Sequence, residues 1–159
     1  MEPVAELEIV RADQSDLDAL ANLFDAYRVF YRQASDVAAA RAFLEERLTW
    51  RDSVIFLARL RRPALTDDAA GFAQLYPSFS SLVMQRIWII NDLFVAPAAR
   101  RLGIGRMLME HARDFAAETG AARIELSTEK TNSIAQALYR SLGFDQNDRF
   151  LRCSLPLDR

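Results

Sequence analysis

The chain has one cysteine and one histidine in 159 residues, and Lys130 is its only lysine. A single thiol, Cys153, can form no internal disulfide. His111 has no second histidine and no cysteine cluster to join it, so neither a structural zinc site nor a histidine-based catalytic triad is expected, and no metal is assigned. No apolar run reaches the length that crosses a membrane. The N-terminus, MEPVAELEIV, lacks the basic start and apolar core of a signal peptide. A reduced, cytoplasmic setting is therefore expected. With a net charge of -2 and a pI of about 5.5, the chain has no global basic field, which excludes the general signature of a nucleic-acid binder. Any anion site must be a local patch. Glycine is scarce, with five in all, and two of them, Gly103 and Gly105, fall among Arg100, Arg101 and Arg106.

Apolar residues make up 51% and charged residues 26%, a balance that supports a packed core. The length suits one domain, 1–159, with no repeat, linker or low-complexity tract. Glu6 to Arg11 reads as a first strand. Ser15 is expected to cap a helix that runs to about Tyr31, with Leu17, Leu20, Ala21 and Phe24 at helical spacing. Ser35 is expected to cap a second helix ending near Trp50. Ser53 to Leu60 and Gly71 to Tyr76 read as antiparallel strands. A loop is expected over Arg61 to Asp68 and another over Pro77 to Ser81. Arg86 to Val95 is the long central strand. A helix from about Leu102 to Thr119 buries Ile104, Leu108, Ala112 and Phe115, and Gly120 ends it. Arg123 to Ser127 is a strand. Asn132 to Leu142 is a helix with Ile134, Ala135, Leu138 and Leu142 inward, stopped by Gly143. Phe150 to Leu157 is expected to form a last edge hairpin. The only crossover between parallel strands runs from Val95 to Arg123, which gives a mixed α/β sheet with helices on both faces.

Two stretches carry chemistry. The first is Arg100-Arg101-Leu102-Gly103-Ile104-Gly105-Arg106, where a strand feeds a glycine-bearing loop that opens a helix. Helix N-termini present unpaired N–H groups and the positive end of the macrodipole, so this is a candidate anion cradle, the alternative being a tight strand-to-helix turn with solvated arginines. A Rossmann fingerprint needs glycine where Leu108 stands, and no GxxxxGK[ST] is present. The second is Asn132 to Phe144, where Asn132 can cap a helix that carries Tyr139 two turns later.

Together these resemble the GCN5-related N-acetyltransferase (GNAT) family. Leu93-Phe94-Val95-x-Pro97-x-x-Arg100-Arg101-Leu102-Gly103-Ile104-Gly105 is similar to its acetyl-CoA motif. Asn132 through Tyr139 to Gly143-Phe144 is similar to its later motif. The resemblance implies a single mixed, mostly antiparallel sheet whose central parallel strands splay apart. It implies that Arg100 to Arg106 wrap the pyrophosphate of acetyl-CoA and that Leu93, Phe94 and Val95 hold the pantetheine arm and polarise the thioester through backbone groups. Asn132 would contact the cofactor, and Tyr139 would protonate the departing CoA thiolate. Asp92 is the candidate base or water-relay partner.

The reaction implied is direct attack by a primary amine in a ternary complex, with a small-molecule acceptor. The alternatives are a protein or peptide N-acetyltransferase, or a non-catalytic acyl-CoA sensor. The run GFAQLYPSFSS…RIWIINDLFV looks like the diamine and thialysine branch and like bacterial histone-acetyltransferase-like proteins. Where that branch has Glu, this chain has Asn91, which becomes a candidate acceptor contact. Tyr27, Arg28 and Tyr31, in an aromatic and basic segment, are candidates to line the acceptor pocket, and Phe24 and Phe30 are expected to be core or dimer contacts. Arg28 and Arg32 there would favour an acceptor bearing a carboxylate. A homodimer is expected, packed through the final hairpin.

Overall fold

The computed structural model describes residues 6–61 and 68–157. Five strands form one sheet: β1 (Glu6–Arg11), β2 (Val54–Arg61), β3 (Ala69–Ser80), β4 (Gln85–Val95) and β5 (Ile124–Leu126). They lie in the order β1-β2-β3-β4-β5. The first four pair antiparallel and β5 joins β4 in parallel. Between them run α1 (Leu17–Phe30), α2 (Val37–Trp50) and α3 (Ile104–Glu118), and α4 (Ser133–Ser141) follows β5. Of the loop expected over 61–68, residues 62–67 lie outside the described set. The chain divides into two compact units, Met1–Ser127 and Thr128–Arg159. The first holds the sheet with α1, α2 and α3, and the second holds α4.

Adjacent strand residues point to opposite faces, which fixes how the helices are layered. Phe72 meets the rings of Phe24 and Tyr27 on α1. At the neighbouring Gly71, a Cβ would meet Ile104 and Leu108 of α3. Hence α1 and α3 cover opposite faces of the sheet. On the α1 side, Leu20, Phe24, Leu44, Ile55, Leu57, Phe72 and Phe94 form one buried cluster. Each such side chain contributes roughly 1.5–3 kcal/mol of burial free energy. On the α3 side, Ile104, Leu108 and Ala112 are buried as their spacing predicts, joined by Met109 and Ala116, while Phe115 is only half-buried and packs on Phe56 and Trp88.

Gly71 is the residue that lets α3 sit close. A Cβ there would lie 2.8 Å from the Phe94 carbonyl oxygen and 3.3 Å from Ile104 Cγ2. Backbone cannot yield as a side-chain tip does. Gly71→Ala is therefore expected to cost about 1–3 kcal/mol, read as a lower urea midpoint with an unchanged m-value.

The elements match expectation except at caps and edges. Asp13, not Ser15, caps the first helical segment: its carboxylate accepts from Ser15 N, and a short 3-10 turn over Gln14–Asp16 leads into α1. Asp36, not Ser35, caps α2, accepting from Ala39 N at 2.9 Å. Ser35 instead donates its hydroxyl to Asp25 at 2.7 Å. Carboxylates win both caps because an ionised acceptor bonds N–H groups more strongly than a hydroxyl does. Pro77 to Ser80, expected as a loop, belongs to β3, because a long hairpin carries pairing out to Ser80↔Gln85. The final hairpin does not form. Residues 144–157 contain no strand, and Asn147 Oδ1 takes the Arg149 N–H locally, a bond that competes with sheet pairing. Cys153 is exposed there. Ile134, expected inward on α4, is 85% exposed. Phe30, expected as a core or dimer contact, is 54% exposed at the end of α1 and so is not in the core.

Asp25 ties α1 to the start of α2. It is buried and accepts from Ser35 Oγ and from Asp36 N, each at 2.7 Å. The Ser35 hydroxyl first, and then the Asp36 N–H, hold its carboxyl below the usual carboxylate range. A depressed folded-state pKa means stability that is full above the unfolded value and is lost as pH falls through the folded one. Asp25→Ala should therefore lower Tm at pH 7, and the gap from the parent should close as pH falls below about 4, followed by thermal melts across pH 2–7.

Candidate active site

The site is built where β4 changes partners. β4 and β5 pair only at Trp88↔Ile124, Ile89↔Glu125 and Ile90↔Leu126. Beyond Ile90, β4 continues to Val95 against β3 alone, so the two parallel strands part. The register against β3 shifts at the same point. Gln74 faces Asp92 and Leu75 faces Ile90, which leaves Asn91 as an extra residue in a β-bulge. The bulge re-aims Asn91 to Val95, of which Asp92 to Val95 pair with β3 and none pairs with β5.

A buried polar chain fills this bend. Ser53 Oγ donates to Gln74 Oε1 at 2.9 Å, and Gln74 Nε2 donates to Asp92 Oδ2 at 2.8 Å. Asn91 Nδ2 donates to Asp92 Oδ1 at 3.1 Å. Ser53, Gln74 and Asp92 are buried, and Asn91 is exposed. Tyr76, two residues along β3 from Gln74, is half-buried; burial, and then the Asp92 charge, push its phenol up to about 12, so it remains a neutral O–H donor. The sequence reading singled out Asp92 and Asn91 but missed Gln74 and Ser53. A glutamine inside the apolar run GFAQLY was the signal available.

After Val95, a 3-10 turn over Pro97–Ala99 leads to the glycine loop. Gly103 caps α3 with φ 76, and Arg101 is also left-handed at φ 67. The glycine cap has no side chain to accept the first-turn N–H groups, and no acidic residue stands in that turn. Gly105 is the second helical residue and needs no positive φ. Arg101, Leu102, Gly103 and Arg106 are exposed, and Ile104 is buried beneath them. Arg106 lies 4.0 Å from Glu110. Arg100 turns back, donating from Nε to the Val95 carbonyl at 3.2 Å, with its guanidinium over Phe30 and Phe94. A left-handed cap, donor N–H groups and flanking arginines are a donor set that fits a pyrophosphate.

On α1, Tyr27 packs against Phe72, Phe94 and Tyr31. Arg28 is engaged at the α1–α2 turn, donating to the Ala34 carbonyl at 3.3 Å and standing 4.0 Å from Asp25. His111 lies on α3, 6.2 Å from the Phe56 ring and exposed.

In the second unit, Asn132 caps α4, accepting from Ala135 N at 3.1 Å. The other end explains the Tyr139–Gly143–Phe144 spacing. Gly143 sits at φ 91. Gly143 N donates to Arg140 O at 3.0 Å and Phe144 N to Tyr139 O at 3.0 Å. This is a Schellman stop, and the Phe144 ring packs 6.0 Å from that of Tyr139, the hydrophobic contact that accompanies such a stop. The motif thus fixes the direction of the tyrosine ring.

The model of the acetyltransferase (GNAT) family matches residues 18–144. The chain belongs to this family. An N-acetyltransferase of Bacillus subtilis strain 168, itself uncharacterized, is 44% identical over 149 residues, covering 94% of this chain and 97% of that one. A crystal structure of a probable acetyltransferase matches with TM-score 0.86 at 44% identity, covering 96% of this chain and 99% of that chain. An aminoglycoside N-acetyltransferase in complex with CoA shares the fold at TM-score 0.79 and 19% identity, covering 99% of each chain. The GNAT fold accounts for the parted β4 and β5, and the chain is an N-acetyltransferase enzyme that transfers acetyl groups to amines. Among the described residues no helix is long and apolar enough to cross a membrane.

Proposed function

We propose that this GNAT enzyme uses acetyl-CoA to acetylate the primary amine of a small molecule, by direct attack within a ternary complex. The observation that carries the reading is the left-handed Gly103 cap, whose first turn has no side-chain cap and no acidic residue, at the end of a strand that has just left its parallel neighbour. Bound acetyl-CoA would supply an activated acetyl thioester. The N–H groups of residues 101–106, with Arg101 and Arg106 beside them, hold its pyrophosphate. The β5-side backbone of Leu93, Phe94 and Val95 takes the pantetheine amides, and an N–H at Leu93 or Phe94 polarises the thioester carbonyl. Arg100 must release the Val95 carbonyl for that pairing. Asn132 contacts the cofactor, and Tyr139 gives its proton to the departing thiolate.

The amine approaches from the α1 side, past Tyr27, Arg28 and Tyr31, and meets Asn91. Asp92 takes the amine proton through a water; each of its oxygens keeps a second lone pair beyond the amide bond it already accepts. An active homodimer in the cytoplasm completes this reading.

The test is thiol release from acetyl-CoA against a panel of monoamines, diamines, amino acids and short peptides with a free N-terminus. Saturable turnover of a monoamine, diamine or amino acid is expected. Turnover of the peptides alone would move the acceptor class to protein N-termini.

A further inference from the structure

A fully buried glutamine in the middle of a strand needs an explanation, because an amide removed from water is costly unless both its ends are bonded. Gln74 is such a residue, and both ends are bonded. Its partners run in one direction. A carboxylate accepts and does not donate, so the groups facing Asp92 must be the two N–H₂ ends, Gln74 Nε2 and Asn91 Nδ2. With its Nε2 spent on Asp92, Gln74 can offer Ser53 only its carbonyl, and Ser53 Oγ donates to it. The same logic decides the exposed end of the chain. With its N–H₂ turned to Asp92, Asn91 presents Oδ1 outward, and this oxygen accepts no bond among the described residues.

We infer that Gln74 and Ser53 are positioning residues that act through Asp92 to hold Asn91 with its amide oxygen toward the acceptor, so that the site receives a primary amine as an N–H donor. The inference rests on the proposed entry of the amine beside the bulge. Ser53 and Gln74 touch no reactant, and Asp92 meets the amine only through a water. Together they fix the rotamer of Asn91, the one member that touches the amine directly. Held this way, Asn91 accepts one N–H of the amine and leaves the nitrogen lone pair to face the thioester. A carboxylate at that position would also accept an N–H, but as a charge that favours the unreactive ammonium form. The amide adds no further charge to hold the proton on the amine, so the nitrogen can pass it to Asp92 through water and attack as the free base. An acceptor lacking any N–H, such as a tertiary amine, gains nothing from this oxygen.

Two variants and two readouts test this. Gln74→Leu keeps the volume and is apolar on a buried strand; Ser53→Ala removes only the terminal donor. With the panel amine that turns over fastest, Gln74→Leu should raise the acceptor KM about tenfold or more, with a smaller rise for Ser53→Ala. The Kd for acetyl-CoA, by calorimetry, should not move. A lowered Tm with an unchanged acceptor KM would reduce the chain to a structural role and overturn the inference. The second readout needs no acceptor. In ¹H–¹⁵N spectra of the unliganded parent, the Asn91 side-chain amide should give two widely separated proton shifts, and these should collapse toward those of a solvated amide in Gln74→Leu, or in Ser53→Ala if the leucine variant does not fold. Solvated shifts for Asn91 already in the parent would overturn it outright. Failure of every panel amine to react with the parent defeats the acceptor reading instead, and the amide spectra separate that failure from this one.

Discussion

Gly103→Asp is expected to abolish acetyl-CoA binding while leaving a folded protein. A Cβ at Gly103 would meet no atom within 4 Å, so packing does not oppose the change. The left-handed conformation at φ 76 costs an L-residue about 1–2 kcal/mol, and aspartate tolerates it better than most. The larger effect is electrostatic. A carboxylate in the cradle would stand beside a bound pyrophosphate, and two like charges 4 Å apart repel by about 4 kcal/mol at an effective dielectric of 20, roughly a thousandfold in affinity. Titration calorimetry should show no saturable heat with acetyl-CoA for Gly103→Asp, and a modest weakening for Gly103→Ala, which adds the strain without the charge. Equal loss in both variants would assign the effect to backbone strain rather than to an anion site.

Tyr139→Phe is expected to lower kcat by about 10²-fold or more, the range for removing a general acid, with the acetyl-CoA Kd unchanged. Phenylalanine keeps the ring and its packing on Phe144, and the Schellman stop is made by backbone groups, so α4 should be intact. The loss should shrink with a thioester whose thiol is more acidic, because a better leaving group needs less help from a proton donor. An unchanged kcat would remove Tyr139 from the acid role.

What could be seen in advance, and what could not, follows from how far each feature is set by neighbours in sequence. The β4–loop–α3 segment was legible because each part is local: an apolar run, an arginine-rich turn, and a glycine whose left-handed φ opens a helix. The Asn132–Phe144 segment was legible for the same reason, although only the hydrogen bonds reveal that its Gly143–Phe144 ending is a helix stop that orients Tyr139. The caps failed at the level of chemistry. Asp13 lies two residues before Ser15 and Asp36 next to Ser35, and at each site the ionised carboxylate rather than the hydroxyl takes the N–H. The length of the β3–β4 hairpin was hidden because Pro77 and the serines look like a turn, whereas the true turn lies beyond Ser80.

The Ser53–Gln74–Asp92–Asn91 chain was the least legible part. Its members come from β4, β3 and the residue before β2, and they meet only because the β3–β4 register shifts by one residue at the bulge. That one-residue shift is invisible in a pattern of apolar alternation. The failed final hairpin has the opposite cause. Its alternation suggested a strand, but a strand also needs a partner, and in the described residues β5 pairs only with β4.

The central claim is acetyl transfer from acetyl-CoA directly to an amine, and the most direct test is the fate of the acetyl group. The enzyme is incubated with ¹³C-acetyl-CoA and the panel amine that turns over fastest, and both the small molecules and the intact protein are weighed by mass spectrometry. The account predicts label on the amine nitrogen in amounts equal to the thiol released, with none on the protein. Label accumulating on the protein, with Cys153 as the available thiol, or thiol release without an N-acetyl product, would contradict it.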